Sequence, residues 1–248
     1  MESDLHLTLP VIRKGELSSF DTSIAAETGA LLLVDKPLDW TSFNVVAKVR
    51  NVLGIRKVGH AGTLDPLATG LLILCLGKGT KLADQVQAEE KEYTGTIRLG
   101  ATTETEDAEG EEQHICPVDH LDPEEITRVA TTFLGESLQI PPMFSARKVG
   151  GKRLYKLARK GIEVERPAKL ITISQFEITR IALGENPPQV DFRVVCSKGT
   201  YVRSLARDLG EKLGVGGYLT RLRRTRSGQF RVEEGVGIDE IKEYPTSL

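Results

Sequence analysis

The 248-residue sequence lacks the features that mark membrane, secreted and metal-binding proteins. No apolar run approaches the roughly 20 residues that a membrane-spanning helix needs, and no basic segment followed by an apolar core opens the chain as a secretory signal would. The three cysteines are odd in number and far apart, without the paired spacing of metal ligands. We therefore expect a cytoplasmic protein with reduced thiols, no metal and no membrane attachment.

The sequence also lacks the excess of basic residues that is typical of nucleic-acid-binding proteins, since its formal net charge is −2 at pH 7. The charges are nevertheless unevenly spread. Acidic residues dominate over 89–125, whereas basic residues dominate over 147–169 and 198–231. Phosphate contacts are local, and charges are screened within about 8–10 Å in salt, so a polyanionic partner remains compatible with this chain. Solvated helix faces are the alternative interpretation of such charge runs.

Hydrophobic periodicity predicts more strands than helices. The predicted strands cover 30–35, 71–76, 91–99, 171–181 and 190–196. The first predicted helix is capped by Thr41 or Ser42 and ends before Gly54, and the others cover 123–134, 152–160 and 202–213. Most consecutive strands lack the spacing of a crossover connection, so we expect an α+β fold with a mixed, largely antiparallel sheet and flanking helices. Residues 1–28 show no sustained period, and we interpret them as an N-terminal extension that could include an edge strand.

The stretch from Arg56 to Pro66 joins a predicted helix to a predicted strand and contains one histidine, two glycines and a single carboxylate. Glycine permits backbone conformations that other residues avoid, and Pro66 fixes the turn directly after Asp65. A carboxylate on such a loop, between rigid elements, is where a reactive group is commonly presented. On spacing alone, however, the favoured interpretation is a plain turn in which Asp65 accepts bonds from neighbouring backbone amides.

The amino-acid sequence of residues 59–70, GHAGTLDPLATG, resembles the catalytic motif of the TruB family, the tRNA pseudouridine-55 synthases. Further segments are similar to the remaining motifs of that family and follow in the same order. They are Asp35-Lys36-Pro37 with Trp40-Thr41-Ser42, Lys91-Glu92-Tyr93, the stretch from Gln139 to Gly161, and Ser197 to Arg203 with Leu222-Arg223-Arg224. Asp39, Phe144 and Arg147 depart from residues common in the family, which puts local RNA contacts in doubt but not the chemistry.

The resemblance implies a pseudouridine synthase fold with a central active-site cleft. It implies one catalytic domain over 29–248, with a tRNA-gripping insertion at about 139–165. Only about 17 residues follow Arg231, so we expect no C-terminal PUA domain of the kind that many family members carry. The activity implied is isomerisation of uridine 55 in the tRNA T-loop, by base flipping and without a cofactor.

The resemblance also implies a role for individual residues. Asp65 is expected to be the essential carboxylate, Arg203 its ionic partner, and Tyr93 the residue that stacks on the target uracil. Asp65 has three open routes, as a nucleophile toward the sugar C1′ or the uracil C6, or as a base at C2′. The other expected substrate contacts are His60 in the space vacated by the flipped base, Tyr201 and Leu222 along the base pocket, Lys36, and Lys148, Lys152, Arg153, Arg159 and Lys160 on the T-arm phosphates.

Two other functions remain open at this point. A non-catalytic tRNA-binding or tRNA-folding factor on the same scaffold is one, although binding alone does not require the set of Asp65, Tyr93 and Arg203. A guide-RNA-dependent synthase is the other, although such relatives use a C-terminal domain to hold the guide. We expect the protein to be a monomer.

Overall fold

The computed structural model describes residues 9–145 and 147–245. The chain forms two compact units, the first from residues 1–89 and 223–248 and the second from residues 90–222. The helices are α1 (Ser23–Glu27), α2 (Ser42–Leu53), α3 (Ala83–Ala88), α4 (Pro123–Thr131), α5 (Leu154–Ala158), α6 (Val202–Lys212) and α7 (Ile238–Lys242). The strands are β1 (Val11–Ile12), β2 (Ala30–Lys36), β3 (Val58–His60), β4 (Ala68–Leu76), β5 (Lys91–Leu99), β6 (Gly135–Gln139), β7 (Lys148–Val149), β8 (Lys152–Arg153), β9 (Lys169–Ala182), β10 (Gln189–Cys196), β11 (Gly217–Ser227) and β12 (Phe230–Arg231).

The first unit is built on β2 and β4, which pair in antiparallel register with Leu33 opposite Ile73. Both strands are runs of apolar residues, as expected for strands that are covered on both faces. The strand β1 pairs with β2 in parallel and forms an edge, and β3 pairs with β4 in antiparallel fashion. The last residues of β11 run beside β4, where a Cβ on Gly70 (φ 100°) would collide with the Arg224 backbone. The predicted strands over 30–35 and 71–76 are thus confirmed.

The second unit contains a sheet in the order β11–β5–β10–β9–β6, to which β11 contributes its first six residues. The pairs β5–β10, β10–β9 and β9–β6 are antiparallel. Its buried face includes Val190, Phe192 and Val194, which alternate along β10 as period-2 patterning requires. The Phe192 ring contacts the Phe176 ring edge-to-face at a centroid distance of 5.7 Å. The helix α4 packs on β9 and α6. This arrangement confirms the predicted α+β class with a largely antiparallel sheet.

The structure differs from the predictions in several local features. The strand β11 was not predicted, because its charged and polar residues hide the alternation. The helix α4 ends at Thr131 and not at residue 134 as predicted, and Leu134 is 47% exposed. The basic helix expected over 152–160 is shorter, because its first two residues form β8 in a hairpin with β7. None of the helices in the described ranges has the length and apolar character needed to cross a bilayer.

Candidate active site

The loop that carries Asp65 connects β3 to β4 in the first unit and is fixed by the start of α2. Thr41 caps this helix, since its side-chain oxygen accepts a bond from the backbone N–H of Asn44. The next residue, Ser42, is buried, and its Oγ both accepts from the Leu64 N–H and donates to the Leu64 carbonyl, each at 2.9 Å. These two bonds hold the residue directly before Asp65, which is itself partly exposed.

The buried side chain of Lys36 also holds the loop that carries Asp65. This side chain is 0% exposed, and its Nζ donates to the carbonyl oxygens of Pro37 at 2.8 Å, Trp40 at 2.6 Å and Pro66 at 3.4 Å. Pro66 follows Asp65 directly, so the ammonium holds the loop on the C-terminal side of the carboxylate. The expected substrate contact of Lys36 is not supported by this placement, because the side chain has no exposed surface to offer to RNA.

Arg224 holds the other end of the loop. Its side chain is 1% exposed, with Nε donating to the Leu71 carbonyl at 2.6 Å and Nη2 donating to the Gly62 carbonyl at 3.2 Å. Gly62 has a positive φ of 97°, a conformation that glycine adopts without strain. Two buried cations therefore brace the segment that presents Asp65, one at Gly62 and one at Pro66.

Burial shapes the electrostatics of this part of the first unit. It lowers the pKa of Lys36 to about 8; the charges of Asp65 and Asp39 raise this pKa, and that of Arg224 lowers it. Burial and the charge of Arg224 also lower the pKa of His60, which favours the neutral imidazole near pH 7. The Nδ1 atom of His60 is buried and has no hydrogen-bond partner within the described part of the chain.

In the second unit, Arg203 lies in the first turn of α6 and is 6% exposed. Its Nη1 donates to the Thr105 carbonyl at 2.9 Å and lies 3.4 Å from Oδ2 of Asp107, while Nη2 donates to the Phe144 carbonyl at 2.8 Å. The guanidinium thus ties the acidic loop after β5 to the start of the insertion. The expected pairing of Arg203 with Asp65 stays a prediction.

Glu106 forms a second buried contact between this acidic loop and α6. The residue is 8% exposed and has a positive φ of 62°. The Ser204 Oγ donates to its Oε2 at 2.7 Å, and Arg207 forms an ion pair with its other oxygen. Burial raises the pKa of Glu106, while the charge of Arg207 opposes this shift. The acidic loop after β5 is therefore partly a buried ion-pair network.

The predicted base-pocket residues of the second unit lie on three elements. Tyr93 is on β5, 8% exposed and opposite Val194 of β10. Tyr201 precedes α6, and its backbone is held at both ends by one side chain, since its N–H donates to Oε1 of Gln139 at 2.8 Å and its carbonyl accepts from Nε2 at 3.0 Å. Leu222 is partly buried on β11.

The insertion presents its basic residues to solvent, as expected for phosphate contacts. Lys152 and Arg153 are exposed on β8, next to Gly150 and Gly151 with φ of 56° and 78°. Arg159 and Lys160 are exposed beyond α5, and the side chain of Lys148 lies outside what the structure describes. The base of the insertion is held by Arg166, whose Nη1 donates to the Pro141 carbonyl at 3.2 Å.

Several supporting residues were not singled out from the sequence. Ser42 and Arg224 lie inside segments that resemble family motifs, but nothing in their spacing indicates burial. Asp107 and Glu106 lie in the stretch 89–125, which was noted only for its excess of acidic residues, and Gln139 was noted only as part of the insertion. Within the described residues, no group of three or more His, Cys, Asp or Glu side chains is placed to hold a metal ion.

Comparison with known proteins assigns the family. The profile of the TruB family pseudouridylate synthase N-terminal domain matches residues 50–202, and that of the tRNA pseudouridylate synthase B C-terminal domain matches residues 203–246. The chain belongs to the TruB family. It is therefore an enzyme, a pseudouridine synthase of the isomerase class.

Curated relatives cover most of this TruB-family chain. A protein of Opitutus terrae named tRNA pseudouridine synthase B is 48% identical over 219 residues, which are 88% of this chain and 89% of that protein. A protein of Chlorobaculum tepidum with the same name is 51% identical over 224 residues, 88% of this chain and 92% of that protein.

Two solved structures that contain Cbf5 share the fold. A chain of the archaeal box H/ACA sRNP Nop10–Cbf5 complex matches with a TM-score of 0.64 and 26% identity over 92% of this chain. A chain of a Cbf5–Nop10–Gar1 complex matches with a TM-score of 0.68 and 28% identity over 98% of this chain. The TruB-family chain spans 57% and 60% of the length of these two chains.

Proposed function

We propose that this TruB-family enzyme converts uridine to pseudouridine at position 55 in the T-loop of tRNA, with Asp65 as the catalytic carboxylate and without a cofactor. The observation that carries the proposal is the bracing of the Asp65 loop by Ser42, Lys36 and Arg224. A plain surface turn does not need two buried cations, whereas a reacting carboxylate must be held in a fixed position. Relatives of 48–51% identity that are named tRNA pseudouridine synthase B support the choice of substrate.

The reaction is an isomerisation, so it needs no net donor or acceptor. The N1–C1′ bond of the uridine breaks, the base turns, and a C5–C1′ bond forms; the proton lost from C5 is balanced by one gained at N1. Asp65 acts as a nucleophile at C1′ or C6, or as a base at C2′. In this proposal Tyr93 stacks on the uracil, and its position opposite Val194 in the β5–β10 pair supports a fixed ring.

Access to the target base has an energetic cost that the binding residues offset. Extruding a base from a folded loop costs a few kcal/mol, and stacking on one aromatic side chain returns about 1–3 kcal/mol. In this proposal His60 fills the vacated space, and its neutral state avoids placing a charge among the remaining bases. Tyr201 and Leu222 line the pocket, and the exposed cations of the insertion contact T-arm phosphates, which makes binding depend on salt. We expect a monomer in the cytoplasm.

An unmodified tRNA transcript, incubated with the protein alone and then analysed by position, tests this proposal. Pseudouridine at position 55 without added guide RNA is the expected result. Bound but unmodified tRNA would instead favour a binding or folding factor. Product that forms only when a guide is added would favour a guide-dependent synthase, and product at other positions alone would refute the T-loop assignment.

A further inference from the structure

The helix α2 and the loop after it form an acid-free segment in a chain that is otherwise rich in carboxylates. The sequence contains 35 Asp and Glu residues, yet none lies within residues 40–64. Four cations lie in that segment, Lys48, Arg50, Arg56 and Lys57. Within the described ranges none of these four has a carboxylate within 4.0 Å, whereas Arg223 of the same unit is paired with Asp35 at 2.8 Å.

The same helix exposes an aromatic ring that the core does not use. The residues Val45, Val46, Val49 and Leu53 form the buried face of α2. Phe43 lies outside that buried face and is 68% exposed, the one aromatic ring among the large apolar side chains that are exposed in the described residues. On a helical wheel at 3.6 residues per turn, this outer face runs from Phe43 through Ala47 and Asn51 to Lys48. Arg50 lies at its border beside Phe43, and its Nε atom is buried.

This outer face starts beside the loop that presents Asp65. Ser42, which precedes Phe43, is the residue whose Oγ holds the Leu64 backbone. On the preceding turn the Asp39 N–H donates to the Pro66 carbonyl at 3.0 Å, and the neighbouring Leu38 is 53% exposed. From there the twelve residues of α2 extend roughly 18 Å along the unit.

We infer that the outer face of α2 and its following loop form a second RNA-binding surface, in which Phe43 stacks on an unpaired base and Lys48 and Arg56 contact phosphates of the same tRNA. Unpaired cations interleaved with an exposed aromatic ring are what single-stranded RNA requires, because the cations follow the backbone and the ring accepts any base. The absence of carboxylates removes the repulsion that a polyanion would otherwise meet. This inference rests on the proposed function, and it assigns RNA contacts to the unit that carries Asp65, in addition to those of the insertion.

Two sets of variants test the surface by direct tRNA binding and by single-turnover kinetics at saturating protein. Phe43→Ala should raise the Kd for tRNA about 5- to 100-fold, the effect of losing one base–aromatic stack, and Phe43→Trp should restore binding. The binding constant K falls as the salt concentration rises. In the double variant Lys48→Ala with Arg56→Ala, the plot of log K against log salt should be shallower by about 1.4 to 1.8, since each phosphate contact contributes roughly 0.7 to 0.9. The single-turnover rate at saturation should stay within twofold of the wild type.

The matched control is Arg128→Ala with Arg180→Ala, which removes the same charge from exposed arginines that are each paired with a glutamate. The control should leave both the Kd and the salt slope near the wild-type values. A wild-type Kd and slope in the α2 variants would overturn the inference, as would an equal loss in the control. Because binding and product are measured separately, wild-type protein that binds tRNA without making pseudouridine would refute the proposed function and still report on this surface.

Discussion

Removing Arg224 should loosen the loop that presents Asp65 and destabilise the first unit. The guanidinium is 1% exposed and donates to the carbonyls of Leu71 and Gly62 at 2.6 and 3.2 Å. In Arg224→Met both carbonyls lose a charged donor in a buried site, where each loss costs about 1–3 kcal/mol. The two losses together predict a decrease in the free energy of unfolding of about 2–6 kcal/mol, a large part of the roughly 5–15 kcal/mol typical of such proteins.

Urea denaturation followed by circular dichroism measures this change, and single-turnover kinetics at low temperature measures its effect on chemistry. The control is Arg221→Met on the same strand, since that side chain is 71% exposed and its loss should change stability by less than about 0.5 kcal/mol. We expect Arg224→Met to slow pseudouridine formation even where the protein is fully folded, because the Gly62 end of the loop is released. Equal stability and equal rates in the two variants would refute the bracing argument.

The remaining predictions concern Lys36, the Tyr201 backbone and the insertion. Folding lowers the pKa of Lys36 from 10.5 to about 8, so the folded state loses this proton at a lower pH than the unfolded state. The free energy of unfolding should therefore rise by up to about 3 kcal/mol between pH 8 and pH 10.5. Urea titrations in which Lys36→Met is stabilised as much as the wild type over this pH range would contradict this. Gln139→Ala removes both bonds to the Tyr201 backbone and should cost about 2 kcal/mol, whereas thermal unfolding like that of the wild type would show that Tyr201 is held by other contacts. Lys148→Ala with Lys152→Ala should weaken tRNA binding and flatten its salt dependence, and an unchanged slope would remove the insertion from the phosphate backbone.

The elements that could be predicted from the sequence are those specified by short-range pattern. The strand β2 and the strand β4 are apolar runs, and α2 begins at a Thr cap and ends at Gly54 with φ of 66°, as its sequence indicates. The turn around Asp65 is also predicted by short-range pattern, because Gly62 and Pro66 have the backbone preferences of turn residues. Local chemistry therefore sufficed to predict a turn at Asp65, whereas its choice as the candidate catalytic carboxylate came from the resemblance to the TruB family.

The supports of the candidate site could not be predicted, because they depend on contacts between residues that are distant in the chain. Arg224 bonds to Gly62 across 162 residues, and Arg203 bonds to Thr105 across 98. An arginine on a strand or at a helix start is usually a solvated charge, and only the fold shows that these two are buried. The proposed RNA-binding surface on α2 was not predicted from the sequence either, because the property that marks this segment is the absence of carboxylates.

The most direct test of the account compares the wild type with Asp65→Asn on an unmodified tRNA transcript, with pseudouridine formation and tRNA binding measured on the same preparations. The substitution keeps the size of the side chain and removes its charge and nucleophilic oxygen. We predict that the variant binds tRNA like the wild type and forms no pseudouridine at position 55. Equal product from both proteins would show that Asp65 is only a turn residue and would contradict the proposed mechanism.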